Sequence, residues 1–232
     1  MTNPSWLKIV LKIEQRHSGV FRDLVTLAAC VCSSGQREDE YRRTAGKFTP
    51  EELCALCEAF GDLLRLKPED PFLDLFGATY MERLSRHAQR HLGEVYTPGS
   101  VALLMPKMAM HPPEPGETLK VAEPAVGSGT LVLAAAQALE DLGVSRLHMQ
   151  VVATDLNPFA VDMALVNLGL ASVPAVIRHG NSLTGQIFHE YPTPAWHFTS
   201  PYSGEPGTHR LQEGDVLGML RLTALLPVRA VG

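Results

Sequence analysis

A short turn in the stretch VAEPAVGSGTLVLAA has the residue types of a ligand-binding loop, because Gly127 and Gly129 follow an apolar run. Glycines let a backbone approach a ligand closely, since they carry no Cβ atom. A phosphate-binding loop needs a lysine after its second glycine, where this chain has Thr130. The dinucleotide fingerprint needs a third glycine, where this chain has Val132. The pattern excludes both phosphate sites and leaves a plain strand-to-helix turn as the simpler alternative.

An acidic residue precedes this turn, because the apolar run ends in Glu123-Pro124. Ligands of open α/β sheets bind outside the carboxyl ends of the strands, so this carboxylate would face a bound molecule. A carboxylate in that position repels a phosphate group and suits a cationic amine. One such amine is the amino acid end of S-adenosylmethionine.

Polar residues end three successive predicted strands: Glu123 follows the first, Asp155 ends the second and Asn181 follows the third. We expect them at one edge of the sheet, where the carboxyl ends of parallel strands meet. An acid at the end of the second strand can accept both hydroxyls of a ribose. A small polar group after the third can meet an adenine edge. Asp155 could instead cap a helix and Asn181 could belong to a turn, but together the three residues predict a nucleoside cofactor.

Strands alternate with helices from about residue 117 onwards. TLKVAEP, HMQVVATD and PAVIRHGNSL predict strands, and the intervening helices start at Thr130 and after Asn157, which caps the second helix. This alternation predicts an α/β fold with a Rossmann-like, doubly wound sheet and right-handed crossovers. The stretch HEYPTPAWHFTSPYSGEPG is rich in Pro, Gly and aromatic residues and predicts a loop. The sheet is expected to be truncated, because only about fifty residues follow the third strand.

A helical region over residues 1–92 is predicted to precede the α/β domain of residues 93–232. PSWLKIVLKIEQ and FRDLVTLAACVC carry apolar residues at helical spacing. The stretch SSGQREDEYRRTAGKFTP predicts a polar connection, after which Thr49 caps a helix that Pro50 opens. DPFLDLFGATYMERLSRHAQRHLG is a further helix candidate.

The charge of the chain bears on its partners. The 232 residues carry a net charge of −5, which argues against strong autonomous DNA binding because phosphate neutralisation dominates that affinity. Arg83, Arg86 and Arg90 nevertheless share one face of a helix candidate, either as an ordinary solvated surface or as a stripe that contacts nucleic acid. Neither a membrane-spanning run nor the apolar core of a signal peptide is evident, so we expect a soluble cytoplasmic protein.

The four cysteines form a C-x-C and a C-x-x-C pattern, which raises the question of zinc. Both patterns lie among apolar neighbours in helical stretches, and free cysteine often behaves as a small buried hydrophobic residue. We therefore expect free thiols and no metal site at Cys30, Cys32, Cys54 and Cys57.

Three stretches, all in the same order as in the family, resemble adenine-N6 DNA methyltransferases. EPAVGSGTLVLAA resembles the first, S-adenosylmethionine-binding motif, and ATDLNPFAVDMALVNLGL resembles the acidic second motif. GEVYTPGSVALLM resembles the segment that precedes the first strand. The likeness runs from near Asp70 to about Tyr202. It is greatest to proteins akin to the modification subunits of type I restriction systems, in particular small phage- and plasmid-type relatives.

This resemblance implies S-adenosylmethionine as the cofactor. It implies that the segment around Thr97 lies against the methionine end and that Glu123 and the glycine turn hold the amino acid part. It also implies that Asp155 binds the ribose, and that Asn181, where the family often has Asp, lies at the adenine end with Ser182. The predicted cofactor-binding residues are Tyr96, Thr97, Pro98, Glu123, Pro124, Ala125, Gly127, Ser128, Gly129, Asp155, Leu156, Asn181 and Ser182.

The family also has a catalytic motif soon after the third strand: Asn, Asp or Ser, then Pro-Pro and an aromatic residue. Its first side chain accepts a hydrogen bond from the target amine, and its ring stacks on the flipped base. The nearest match is TSPY, in which Thr199 replaces the amide or acid and Ser200 replaces the first proline. The resemblance implies Thr199, Pro201 and Tyr202 as catalytic residues, while a simple Pro/Gly loop is the alternative.

The sequence thus predicts a minimal S-adenosylmethionine-dependent methyltransferase of the adenine-N6 DNA type, with a degenerate catalytic motif. Its expected partner is DNA, aided by a partner subunit or a second copy of the chain. The alternative from another class is a catalytically silent, cofactor-binding regulatory or anti-restriction protein, which the degenerate motif and the acidic charge favour. A third is a methyltransferase that acts on a protein or a small molecule.

Overall fold

The computed structural model describes residues 4–83 and 118–199, which belong to two compact units. Among the described residues, the first unit ends at Glu69 and the second begins at Asp70. The domain boundary predicted at residue 92 lies outside the described residues. Within the described ranges, no helix has the length and the hydrophobicity that a membrane span requires.

The described part of the first unit is helical, as predicted. Helices α1 and α4 pack together, and α2 packs against α3. The sequence did not predict α3, which forms inside the expected polar connection. Its first turn is acidic and its last turn carries arginines, which matches the helix dipole. The helices of this unit are α1 (Ser5–Glu14), α2 (Val20–Cys32), α3 (Glu38–Ala45) and α4 (Pro50–Leu64).

Helix α4 begins at the predicted cap. The backbone amide of Glu52 donates to Thr49 Oγ1 at 3.3 Å, and the amide of Thr49 donates to Glu52 Oε2 at 3.0 Å. Pro50 occupies the first helical position, where a missing N–H costs nothing. The buried Glu52 carboxylate also accepts from His17 Nε2 at 3.2 Å, so this cap ties α4 to the segment after α1.

The second unit contains a four-stranded sheet in the order β1-β2-β3-β4. The first three strands are parallel and joined by helices, which confirms the predicted α/β class, and β4 runs antiparallel to β3. A short 3-10 turn, Arg146–His148, precedes β2. The elements are α5 (Gly77–Arg83), β1 (Leu119–Glu123), α6 (Thr130–Asp141), β2 (Met149–Asp155), α7 (Pro158–Leu170), β3 (Ala175–Asn181), β4 (Gln186–Pro192) and α8 (Pro194–Thr199).

Strand β4 and helix α8 occupy a region where the sequence predicts a loop, and that prediction is wrong. Gly185 has a φ of +74° and donates its amide to the carbonyl of Asn181 at 2.9 Å, so the chain folds back along β3. The resulting strand is mostly exposed and lacks apolar alternation. It is held by backbone pairing with β3 and by cross-strand contacts such as the bond from Arg178 Nε to Glu190 Oε1 at 2.6 Å, which composition does not reveal.

Thr193 fixes the junction between β4 and α8. Its hydroxyl donates to the carbonyl of Val173 at 2.7 Å and accepts from the amide of Ala175 at 3.0 Å. Thr193 is fully buried. Because Ala175 is the first residue of β3, the junction lies at the amino end of that strand, opposite the end where Asn181 lies.

The helix predicted over residues 70–93 begins later than expected. The amide of Phe72 donates to Asp70 Oδ1 at 3.0 Å, and the amide of Phe76 donates to Asp74 Oδ1 at 3.1 Å. Such turns, in which an aspartate side chain binds an amide two residues on, compete with helix formation. Helix α5 therefore starts only at Gly77, and the predicted helix beyond residue 83 lies outside the described residues.

The four cysteines are free. Cys30 and Cys32 are buried as expected, whereas Cys54 and Cys57 on α4 are exposed. Burial raises the pKa of the Cys32 thiol to about 12, with a smaller contribution from Cys30. Partial burial, and then the neighbouring Cys54, raises the pKa of Cys57. Among the described residues, His, Cys, Asp and Glu form no group of three that could hold a metal ion.

We predict two classes of thiol reactivity. At pH 8 an aromatic disulfide reagent should modify Cys54 and Cys57 in the folded protein, with Cys54 reacting first because the pKa of Cys57 is raised. Cys32, held as a thiol by its raised pKa, should react only after unfolding in guanidinium. Absorbance of the released thiolate measures the rates, and Cys54→Ala should remove the fastest phase. A single rate for all four thiols in the folded protein would contradict this assignment.

We also predict a stability difference between alanine variants at the two glycines that flank helix α6, Gly129 before it and Gly143 after it. Gly129, with φ +93°, packs its backbone against Leu168, which lies 3.4 Å from the position of an added Cβ. Gly143, with φ +79°, has nothing within 4 Å of that position. Gly143→Ala should cost about 1 kcal/mol of backbone strain, and Gly129→Ala should cost more because its φ of +93° lies further from the left-handed region that residues with a Cβ atom can adopt. Urea denaturation of both variants checks this order, and an equal or smaller loss for Gly129→Ala would refute it.

Candidate functional site

The last residues of β1, β2 and β3 lie along one edge of the sheet, called the rim below. Glu123 pairs with Ala153, two residues before Asp155. Asp155 in turn pairs with His179, two residues before Asn181. The structure therefore brings the three predicted polar residues to one edge of the sheet. Asp155 and Asn181 each lie two residues beyond the strand-pairing partner of the polar residue before them. This arrangement follows from parallel strands joined by helical crossovers.

Asp155 links two elements of the rim. Its Oδ2 accepts from the amide of Gly127 at 2.9 Å, and its Oδ1 accepts from the amide of Asn157 at 2.9 Å. Asn157 Oδ1 accepts from the amide of Phe159 at 3.0 Å, which is the predicted cap of α7. Each carboxylate oxygen has two lone pairs, so Asp155 can hold the turn and still accept hydroxyl groups from a ligand.

Glu123 is the last residue of β1 and lies directly before the turn. Its Oε1 accepts from the amide of Ala125 at 3.0 Å, which orients the carboxylate at the end of β1. Pro124 and Ala125 are exposed beside it. Leu156, which follows Asp155, is 60% exposed and offers an apolar surface at the same edge. The rim thus combines two carboxylates with an exposed apolar side chain, which suits a ligand that is partly cationic and partly flat and apolar.

Asn181 stabilises the turn that follows β3. Its Oδ1 accepts from the amides of Leu183 at 3.0 Å and Thr184 at 3.3 Å, so it caps the turn between β3 and β4. Its amide nitrogen is therefore the group that can meet a ligand, as a donor. Ser182 is exposed next to it.

The glycine turn presents backbone rather than side chains to the rim. Val126 donates its amide to the carbonyl of Thr154 at 3.0 Å, and Gly129 donates to the carbonyl of Val126 at 2.9 Å. Gly127 has a φ of +57°, in the left-handed region. Ser128 is 1% exposed, so its side chain is turned into the protein and away from the rim.

A third carboxylate, which sequence reasoning missed, lies behind the turn. Ser128 Oγ donates to Asp74 Oδ2 at 2.5 Å, and Thr130 Oγ1 donates to the same oxygen at 2.6 Å. Asn167, a fully buried polar residue on α7, donates to Asp74 Oδ1 at 2.8 Å. The lone asparagine in the run ALVNLGL is a signal for such a contact, because a buried amide needs partners.

Thr199 is not brought together with the rim residues. It lies in α8, which packs against β3 and the 3-10 turn before β2, and its Oγ1 donates to the carbonyl of Ala195 at 3.0 Å. Strand β3 spans roughly 20 Å at about 3.3 Å per residue. The six residues of α8 span roughly 9 Å and start at the amino end of β3, which leaves Thr199 far from the rim.

Of the other predicted site residues, the structure describes one. Arg83 is the exposed last residue of α5. The remainder lie outside the described residues: Arg86, Arg90, Tyr96, Thr97, Pro98, Pro201 and Tyr202.

Comparison with solved structures finds a similar protein. A crystal structure of a proposed class I S-adenosylmethionine-dependent methyltransferase from Listeria monocytogenes is similar to this chain, with 14% sequence identity and a TM-score of 0.42. The similarity covers 77% of this chain and 53% of that chain. This chain therefore spans about half the length of that protein.

Comparison with family models is more informative. A model described as N-6 DNA methylase matches residues 72–203, which is more than half of the chain. The matched span includes Asp74, the glycine turn and the rim residues from Glu123 to Asn181. The chain therefore belongs to the N-6 DNA methylase family.

Proposed function

We propose that the rim binds S-adenosylmethionine and that the chain is a methyltransferase acting on the N6 amine of adenine in DNA. The observation that carries this proposal is the bond from Gly127 to Asp155, which holds the glycine turn of β1 against the acidic end of β2. Membership of the N-6 DNA methylase family supports both the cofactor and the substrate class.

The residues of the rim fit the parts of this cofactor. The Glu123 carboxylate suits the cationic amine of the methionine part, and Asp155 suits the two ribose hydroxyls as an acceptor. Asn181 offers an amide donor to a ring nitrogen of adenine, while the exposed Leu156 provides an apolar surface for a flat base. When bound, the cofactor supplies a methyl group on a sulfonium sulfur, which a neutral amine can attack without a metal.

A catalytically silent, cofactor-binding protein is the second candidate, and the position of Thr199 favours it. In the family motif this residue would accept a hydrogen bond from the target amine. Helix α8, which contains Thr199, starts at the amino end of β3 and packs against β3 and the 3-10 turn before β2. A silent regulatory partner needs the rim alone, whereas a methyltransferase also needs an amine acceptor beside it.

Replacing Asp155 tests the cofactor assignment. Asp155→Ala should weaken S-adenosylmethionine binding by roughly a hundredfold, about 2 to 3 kcal/mol, because charge-assisted hydrogen bonds to the ribose are lost. Calorimetry measures the affinity, and circular dichroism checks that the variant is folded. Glu58→Gln, at an exposed position on α4, is the control for loss of one negative charge. An unchanged affinity in folded Asp155→Ala would remove this residue from the site.

Transfer of a labelled methyl group separates the two candidates. Unmethylated DNA is incubated with methyl-labelled S-adenosylmethionine and the wild-type protein, with Asp155→Ala as the background. Label in adenine above that background is expected for the methyltransferase, whereas cofactor binding without label in DNA supports the silent protein. We expect Thr199→Val to leave both cofactor affinity and transfer unchanged, because its hydroxyl is directed to Ala195. A tenfold or greater fall in transfer would show that Thr199 acts at the rim.

A further inference from the structure

The carboxylate of Asp74 is surrounded by five donors. Its Oδ2 accepts from the hydroxyls of Ser128 and Thr130, which also contact each other at 3.0 Å. Its Oδ1 accepts from the amide of Gly77 at 2.9 Å and from the amide of Phe76 at 3.1 Å, with Asn167 as the fifth donor. A carboxylate has about four lone-pair sites, so these donors saturate Asp74 and leave it no capacity for a ligand.

Asn167 connects Asp74 to helix α7 and to the glycine turn. Its Nδ2 donates both to Asp74 and to the backbone carbonyl of Ser128, the latter at 2.9 Å. Its Oδ1 accepts from the amide of Leu75 at 3.1 Å. The amide of Asn167 thus joins three separate segments: the turn after β1, helix α7 and the chain before α5.

Gly77 is required for this close approach. An added Cβ at Gly77 would clash with Asp74 Oδ2 and would lie 2.6 Å from Ser128 Oγ. Any side chain at this position would therefore displace the Asp74 carboxylate or the Ser128 hydroxyl from their contact.

The geometry points to Asp74 as a positioning residue for the glycine turn, an inference that rests on the proposed function. The turn is held from two sides, by Asp155 through the amide of Gly127 and by Asp74 through the buried side chain of Ser128. Asp74 touches no ligand position itself. It fixes the orientation of the Gly127 and Gly129 backbone that the cofactor would meet.

Hydrogen exchange of the turn tests this inference without any ligand. In Asp74→Ala the amides of Gly127 and Gly129 should exchange on the order of tenfold faster than in the wild-type protein. The matched control is Thr193→Val, which removes a fully buried hydroxyl with two hydrogen bonds at the far end of β3. This control should lower the melting temperature while leaving exchange at Gly127 and Gly129 unchanged.

Calorimetry adds the functional readout. Asp74→Ala should bind S-adenosylmethionine on the order of tenfold more weakly, because a loosened turn must be reordered on binding, while Thr193→Val should bind as the wild-type protein does. Asp74→Asn should restore much of the affinity, since the Ser128 and Thr130 hydroxyls can turn to accept from its amide. A merely structural role would make affinity follow melting temperature in all three variants, and that result would overturn the inference.

Other results of these experiments distinguish failure of the proposed function from failure of the role of Asp74. If the wild-type protein does not bind S-adenosylmethionine, the proposed function fails, while the exchange experiment still decides whether Asp74 orders the turn. If Asp74→Ala does not fold, Ser128→Ala removes one hydroxyl from the same network and should speed exchange at Gly127. Unchanged exchange at Gly127 and Gly129 in the folded variants would refute the role of Asp74.

Discussion

The carboxylate of Asp155 joins the glycine turn of the rim to the start of α7. Strands β1 and β2 pair as far as Glu123 and Ala153, and the amide of Val126 adds one further bond to the carbonyl of Thr154 on β2. Asp155 binds the amide of Gly127 on one side and the amide of Asn157 on the other. The same residue therefore closes the turn and starts α7. Because these two bonds come from backbone amides, they tolerate variation of the neighbouring side chains but not of the carboxylate.

The direction of β4 is the second constraint, because it determines where the chain goes next. An antiparallel partner for β3 necessarily returns the chain to the amino end of the sheet, where Thr193 binds both sides of the β3 start. A fourth parallel strand would instead have carried the following residues to the rim. This choice of partner direction separates Thr199 from Glu123, Asp155 and Asn181.

Local signals explain what the sequence could predict. The strand-helix alternation, the Thr49 and Asn157 caps and the acids that end β1 and β2 all depend on neighbours within a few residues, and the structure contains them. The features that sequence reasoning missed depend on distant partners. Ser128 is 54 residues from Asp74, and Asn167 is 93 residues from it. Strand β4 likewise depends on its pairing with β3, and its sequence has no local pattern of apolar residues that would predict a strand.

The contact between Asp74 and Ser128 sets the minimal length of a fragment that can keep the turn intact. A shortened chain that begins at residue 93, where the motif pattern would start the α/β domain, lacks both Asp74 and Gly77. It would leave the Ser128 hydroxyl and the Asn167 amide buried with fewer partners, at a cost of about 1 to 3 kcal/mol for each unsatisfied group. Transplanting the turn into another scaffold meets the same requirement. The short segment before α5 must be transplanted together with the turn, although more than fifty residues of chain separate the two.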